Sequence, residues 1–304
     1  MAMQELRICT LNTRGTNGEY KLRHLTDFIR THRLDFLFLQ ETNIATHYNA
    51  KTFINNLGLK RGIYSLGTHN NGTLILQTSD RWEITQHTSD NTTGRVTTAT
   101  ITNKNTTYKL VNIYAPQYAH HREQFYEGLI DTLASNTDKL ILGGDFNITL
   151  DDRDITGTDI GKVRYGRKRL QTIIDAHNLK DSYRVIYPQG TDTTYKNIGI
   201  DRAVRIDRIH IYNTCTVTNT THLEQTLRFT DHKAVITTIN ESRQTKRTQP
   251  WKFNNTLLHN EEYTQNIANL LQYKSQNIPT ENIKKIWDDL KETIKQITIR
   301  TAQI

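Results

Sequence analysis

Cysteine is scarce: two residues, Cys9 and Cys215, far apart in a chain of 304. That excludes a disulfide scaffold and a cysteine-rich metal site; both thiols lie in apolar runs and read as small core side chains. No charged-then-apolar leader opens the sequence, and no apolar stretch approaches the ~18 residues of a membrane helix. The expectation is an intracellular, soluble protein. Acids are also in deficit. Against 39 Lys and Arg stand 31 Asp and Glu, a net charge of +8, which favours an anionic partner. The length allows one large α/β domain or two small ones.

What is present is a repeated pattern of buried strand followed by polar residue. Leu140-Ile141-Leu142 runs into Gly143-Gly144-Asp145-Phe146-Asn147. This reads as a strand ended by two glycines that turn the backbone sharply, with Asp145 and Asn147 on one side if the chain stays extended. A carboxylate beside a carboxamide suits phosphate-ester chemistry, which needs an activated water and a held anionic oxygen. Five more runs end the same way. Ile8–Leu11 leads to Asn12, Phe36–Leu39 to Gln40 and Glu41, and Leu110–Ile113 to Tyr114. Asp207 sits between Val204-Arg205-Ile206 and Ile209–Ile211, and Thr230-Asp231-His232 opens Ala234–Ile236. One such ending is ordinary capping. Six imply a single pocket at the strand ends of a layered α/β protein.

The ordered set Asn12, Glu41, Tyr114, Asp145 with Asn147, Asp207 and Asp231-His232 resembles the endonuclease/exonuclease/phosphatase superfamily, over roughly residues 5–240. Asn12-Thr13-Arg14-Gly15, Asn112–Pro116 and Arg205–Ile209 are most similar to the endonucleases of non-LTR (LINE-type) retrotransposons. Arg14 stands where abasic-site enzymes carry an acid, which puts a two-metal site in doubt. The resemblance implies a four-layer α/β sandwich, two mixed β-sheets flanked by helices, here with a C-terminal helical extension. It also implies a DNA-nicking enzyme that uses Mg²⁺, with Mn²⁺ as the alternative ion.

By that resemblance Glu41 holds the metal, and Asn12 ligates or orients beside it. Asp145 activates the water, Asn147 bonds the water or a phosphate oxygen, and Tyr114 bonds the phosphate. His232 donates to a phosphate oxygen with Asp207 as its carboxylate partner, and Asp231 sits near the metal or leaving oxygen. Arg153, Thr194 and Thr230 are the implied substrate contacts, Thr230 replacing the usual Ser. Lys162, Arg164 and Arg167, with Lys168 and Arg169, form the densest basic cluster. It reads either as a solvated helix start or as a contact to the DNA backbone. His24, His120, His121 and His210 read as ordinary surface or structural histidines. Two other readings stay open: an abasic-site repair enzyme or phosphoester phosphatase of the same superfamily, and an inactive nucleic-acid-binding module.

Apolar spacing predicts helices over 20–31, 46–57, 121–134 and 167–178, and strands and hairpins between 60 and 115. Residues 241–250 read as a polar linker. Residues 251–304 read as a helical connector, with stripes over 260–274 and 280–300. Pro250–Glu262 is similar to the connector that precedes the reverse transcriptase in LINE polyproteins. A reverse transcriptase is therefore the expected C-terminal partner, and nuclear DNA the expected site of action.

Overall fold

The computed structural model describes residues 5–67, 71–134, 139–157, 164–197, 199, 201–223, 229–241, 253, 255–276 and 283–301. The first half of the chain runs β1 (Glu5–Asn12), α1 (Glu19–His32), β2 (Phe36–Gln40), α2 (His47–Asn56), β3 (Arg61–Ser65), β4 (Thr73–Gln77), β5 (Glu83–Ser89), β6 (Val96–Asn103), β7 (Thr106–Tyr114), α3 (Ala119–Leu133) and β8 (Lys139–Asp145). There follow β9 (Ile155–Gly157), α4 (Arg167–Ala176), β10 (Leu179–Asp181), α5 (Ser182–Ile186), β11 (Tyr195–Asn197), β12 (Arg202–Val204), β13 (Asp207–Tyr212), β14 (Cys215–Leu223), β15 (Ala234–Glu241), α6 (Glu261–Ser275) and α7 (Ile283–Thr301).

Two six-stranded sheets face each other, in the orders β14-β15-β1-β2-β4-β3 and β10-β13-β8-β7-β6-β5. Each is mixed, with one parallel pair at its centre: β1 beside β2, and β7 beside β8. Helices α1 and α3 make those two crossovers, as parallel pairing requires. The period of two along each strand sorts its side chains between layers. Phe36 and Phe38 of β2 join Ala99, Leu110, Ile141 and Ile209 in the core between the sheets. Leu37 and Leu39 turn the other way, onto Leu25, Phe28, Phe53 and Ile54 of α1 and α2. On the far side Val111, Ile113, Leu140 and Leu142 pack on Tyr126, Leu129, Leu170 and Ile173 of α3 and α4. The result is the expected four-layer sandwich. A buried amide pair ties the sheets together: Gln40 Nε2 donates to Asn112 Oδ1 at 2.7 Å, and Asn112 Nδ2 to the Leu39 and Leu74 carbonyls at 2.9 and 3.0 Å.

Two local expectations are corrected. Gly143 and Gly144 do not turn the chain, because β8 continues through Asp145. They are needed for close approach instead. A Cβ on Gly144, whose φ is 141°, would lie 2.0 Å from the Ile113 carbonyl oxygen, and one on Gly143 would meet the Phe38 ring at 3.1 Å. Nor does Val204-Arg205-Ile206 lead straight into the strand of Asp207. β12 belongs to a separate three-stranded sheet, β11-β12-β9, and the chain changes sheets at Arg205–Ile206.

Helices α6 and α7 dock on α3 and α4. Tyr263, Leu270, Tyr273, Leu290 and Ile297 bury themselves against Ala176 and Ile130. Arg300 pairs with Asp175 at 2.8 Å, and His177 Nε2 meets the Tyr273 hydroxyl at 3.1 Å. Most of the expected linker, 242–250, lies outside the described residues, as do Pro250, Trp251, Lys252 and Asn254 of the connector motif. Among the described residues no helix is long and apolar enough to cross a membrane.

Candidate active site

Three site residues form one rung across adjacent strands. Tyr114 on β7 pairs in register with Asp145 on β8, and Asp145 with Asp207 on β13. On the facing sheet the last residues of β1 and β2, Asn12 and Gln40, are also a register pair, and Glu41 follows. All six polar strand endings therefore meet at one end of the sandwich, as the sequence pattern implied.

Hydrogen bonds join them. Asn12 Nδ2 donates to Glu41 Oε1 at 2.9 Å and to Asp145 Oδ2 at 3.0 Å. The Tyr114 hydroxyl donates to Glu41 Oε1 at 2.8 Å. His232 Nδ1 faces both oxygens of Asp207, at 2.9 and 3.1 Å. One ligand-capable atom each from Asp145, Asp207 and His232 falls within a 4.8 Å cluster. Glu41 adopts φ 51°, the left-handed region that costs a side-chain-bearing residue of order 1 kcal/mol or more. Backbone bonds from Thr13 to Gln40, Gly15 to Glu41 and Thr42 to Gly72 hold it there. Asn147 also has a positive φ, 49°. An extended backbone is thus not what aligns it with Asp145. Its N–H donates to Asp145 Oδ1 at 2.9 Å, and its Nδ2 to the Ala115 carbonyl at 2.8 Å.

The electrostatics separate the roles. Burial, then the neighbouring Asp207 charge, pushes Asp145 up to about 7, while His232 and the Asn12 hydrogen bond pull the other way. That is the range of a general base working near neutrality. Burial would depress His232, but the charge and hydrogen bond of Asp207 outweigh it and hold the imidazole up at about 9. It is a cation at neutral pH. Burial and the Glu41 charge keep the Tyr114 phenol protonated far above its ordinary range, so it remains a donor.

The donor set suits a hard cation at Glu41. Its Oε1 accepts two hydrogen bonds, and Oε2 accepts none from the described residues. Carboxylate oxygen is the preferred ligand of Mg²⁺. Asn12 acts as a brace: its Nδ2 is shared between two carboxylates, and its Oδ1 accepts from the Arg14 N–H at 3.1 Å. Arg14 Nη1 in turn donates to Asp231 Oδ2 at 2.8 Å, so the residue that replaces an acid also engages one of the acids that remain.

The expected substrate contacts divide between buried or half-buried threonines and arginines at the surface. Thr194 is fully buried, and its hydroxyl accepts from the N–H groups of Ile206 and Asp207 at 3.1 and 3.0 Å. It fixes the backbone of Asp207. The Thr230 hydroxyl donates to the Asn12 carbonyl at 2.8 Å and accepts from the His232 N–H at 3.2 Å, lacing two site loops together. Arg153 binds Asp151, the Pro188 carbonyl and Gln189. Arg167 binds Thr149 and Asp152, and Arg164 pairs with Asp152 at 3.3 Å. Lys162 lies outside the described residues. His24 packs on Tyr20, His120 bonds Gln124, His121 meets Tyr118, and His210 is buried against Phe146, where burial lowers it to about 4.

Four further residues support the site, three of them through partners remote in the chain. Lys21 Nζ donates to the carbonyls of Thr13, Arg14 and Gly15, at 3.2, 2.8 and 2.9 Å. Arg95 lies over the Tyr114 ring at 5.0 Å, and Tyr195 packs on the His232 ring at 4.9 Å. Asp154, fully buried, gathers Arg184, Arg205 and Arg208 directly behind Asp207.

A family model described as Endonuclease/Exonuclease/phosphatase family matches residues 9–240. The chain belongs to that family. A curated relative, the Transposon TX1 uncharacterized 149 kDa protein of Xenopus laevis, is 29% identical over 270 residues, 86% of this chain. The chain spans about a fifth of that relative, 20% of its length. Among solved structures, the AP endonuclease LMAP of Leishmania major superposes with a TM-score of 0.64 at 17% identity, covering 78% of this chain and 88% of that one. The 3' phosphatase NExo from Neisseria, bound to a product DNA hairpin, gives 0.61 at 21% identity, covering 78% and 98%. At these identities the solved structures show a shared fold.

Proposed function

We propose that this family member is a Mg²⁺-dependent endonuclease that nicks DNA for a non-LTR retrotransposon. The observation that carries the reading is the continuous chain of side chains from Glu41 through Asn12 to Asp145, with the Asp207–His232 pair beside it. A base near neutrality next to a cationic donor is what in-line hydrolysis of a phosphodiester needs. Asp145 takes the proton of the attacking water. Asn147 holds that water or a phosphate oxygen. His232 donates to a non-bridging oxygen as charge builds there, and Tyr114 adds a neutral hydrogen bond. Glu41 is the residue that would hold Mg²⁺, and the same oxygen donors accept Mn²⁺. When bound, the ion supplies positive charge against the phosphate oxygens.

The likeness to the TX1 transposon protein, of which this chain spans 20%, supports the retroelement context and a longer polyprotein; a reverse transcriptase in that polyprotein and nuclear DNA as the site of action are part of the same proposal. The net charge of +8 supports an anionic polymer as substrate.

The test uses supercoiled plasmid and Mg²⁺, with the parent beside Asp145→Ala and His232→Ala. Conversion to open circle by the parent and by neither variant supports the reading. Nicking that persists in excess chelator overturns the metal requirement. Binding without nicking by all three overturns hydrolysis in favour of a nucleic-acid-binding module. Comparing intact with abasic duplex separates target nicking from repair.

A further inference from the structure

Tyr118 and Tyr165 are large aromatic side chains left in solvent, 76% and 61% exposed. Each sits where a helix starts: Tyr118 is the N-cap of α3, and Tyr165 precedes Gly166, the N-cap of α4. Their backbones are fixed by one buried guanidinium. Arg122, 2% exposed, donates from Nη1 to the Gln117 carbonyl at 2.8 Å and from Nε to the Tyr165 carbonyl at 3.2 Å. The same ground carries the catalytic loops. Pro116-Gln117 follows Tyr114, the Ala115 carbonyl accepts from Asn147, and the Phe146 carbonyl accepts from Tyr126 one helical turn beyond Arg122.

A buried arginine that holds two loops rigid, each presenting an exposed ring, is pre-organisation for a ligand that meets the rings. Among the described residues the Tyr118 ring touches only the edge of His121, at 6.2 Å, and Tyr165 has no aromatic neighbour. Lys168, and Arg164 with its partner Asp152, place basic side chains near Tyr165 in sequence. Flat, exposed rings beside basic side chains suit the faces of unpaired nucleobases on a polyanionic strand. In a paired, stacked duplex those faces are covered.

We infer that Tyr118 and Tyr165 form a stacking platform for unpaired nucleotides flanking the scissile phosphate. The preferred substrate then carries a single-stranded or splayed segment at the cut. This rests on the nuclease reading of the adjoining site.

The test is equilibrium binding of the full chain, carrying Asp145→Ala so that the strand survives, to a single-stranded oligonucleotide containing 2-aminopurine. Expected are quenched 2-aminopurine fluorescence and a loss of affinity on the order of 10-fold for Tyr118→Leu or Tyr165→Leu. The Phe variants, which keep the ring, retain parental affinity, and a blunt, fully paired duplex is bound equally by all. An unquenched probe, quenching that the Leu variants leave intact, or an equal loss on blunt duplex would each overturn the platform. Quenching that survives beside a failed plasmid assay would remove hydrolysis and leave the platform standing.

Discussion

The imidazole of His232 is gripped by both oxygens of the Asp207 carboxylate, with Nδ1 at 2.9 and 3.1 Å. That contact makes the histidine a cation at the pH where Asp145 becomes a base, and it predicts a pH profile. His232 is raised to about 9, so the protonated form persists below that value and is lost above it. Parental nicking should therefore fall on an alkaline limb near pH 9. Asp207→Asn removes the charge that raises the imidazole. The limb should move to lower pH, and activity at pH 8 should drop on the order of 100-fold. A rate profile on plasmid checks both, and an unmoved limb would detach His232 from that titration.

Gly144→Ala should be severely destabilising. The added methyl would sit 2.0 Å from the Ile113 carbonyl oxygen, in backbone with φ 141°. Neither β7 nor β8 can yield without shifting the Tyr114–Asp145 rung. A loss of about 3 kcal/mol or more is expected, read as a lowered urea midpoint at unchanged m-value.

Asp154→Ala should cost about 3–5 kcal/mol, because it leaves three converging guanidinium groups with less counter-charge in a dry site. The arginines also set a pH dependence. Burial raises Asp154, but Arg208 and Arg205 prevail and hold the carboxyl well below its usual range. Asp181, beside Arg205, is likewise lowered to about 2. Carboxyls depressed on folding stabilise above their unfolded values near 4 and lose that contribution as pH falls. The acid limb of the stability curve between pH 4 and 2 should flatten in Asp154→Ala, as measured by urea titrations across that range.

His177 should make the docking of α6 sensitive to acid. Burial lowers its imidazole from 6.5 to about 3, with Lys274 adding to the effect. A histidine depressed on folding binds its proton more readily when undocked. Its contribution is complete above pH 6.5 and declines as pH falls from there toward 3. Hydrogen exchange in α6 should accelerate between pH 7 and 5, after correction for intrinsic rates, and His177→Phe should remove that excess.

The sequence revealed the residues of the candidate site more readily than their supports. Asn12, Glu41, Tyr114, Asp145, Asp207 and His232 each end or begin a short apolar run, so the strand pattern pointed to one pocket at the strand ends of a layered fold. The long helices were legible for the same reason: Leu25, Phe28 and Ile29 repeat at helical spacing, and all three are buried. Asp154 was not legible. Its partners Arg184, Arg205 and Arg208 lie 30, 51 and 54 residues away. Thr194 and Thr230 were singled out by the family resemblance, and their hydroxyl bonds to the backbone of Ile206, Asp207, Asn12 and His232 could not be read from sequence. The strand boundary at Arg205–Ile206 left only a change of phase, from apolar Val204 and Ile206 to apolar Ile209 and Ile211, and β12 and β13 belong to different sheets.

The rung formed by Tyr114, Asp145 and Asp207 has a consequence for how this gene can vary. The three side chains are aligned by strand register rather than by loop conformation. A connection such as 104–105, between β6 and β7, can lengthen or shorten without displacing the rung. Deleting one codon within β8 would instead swap every following side chain to the opposite face and point Asp145 out of the site. Length variation among related sequences should therefore gather in the connecting loops, and the strand cores should tolerate substitution but not frame-preserving indels.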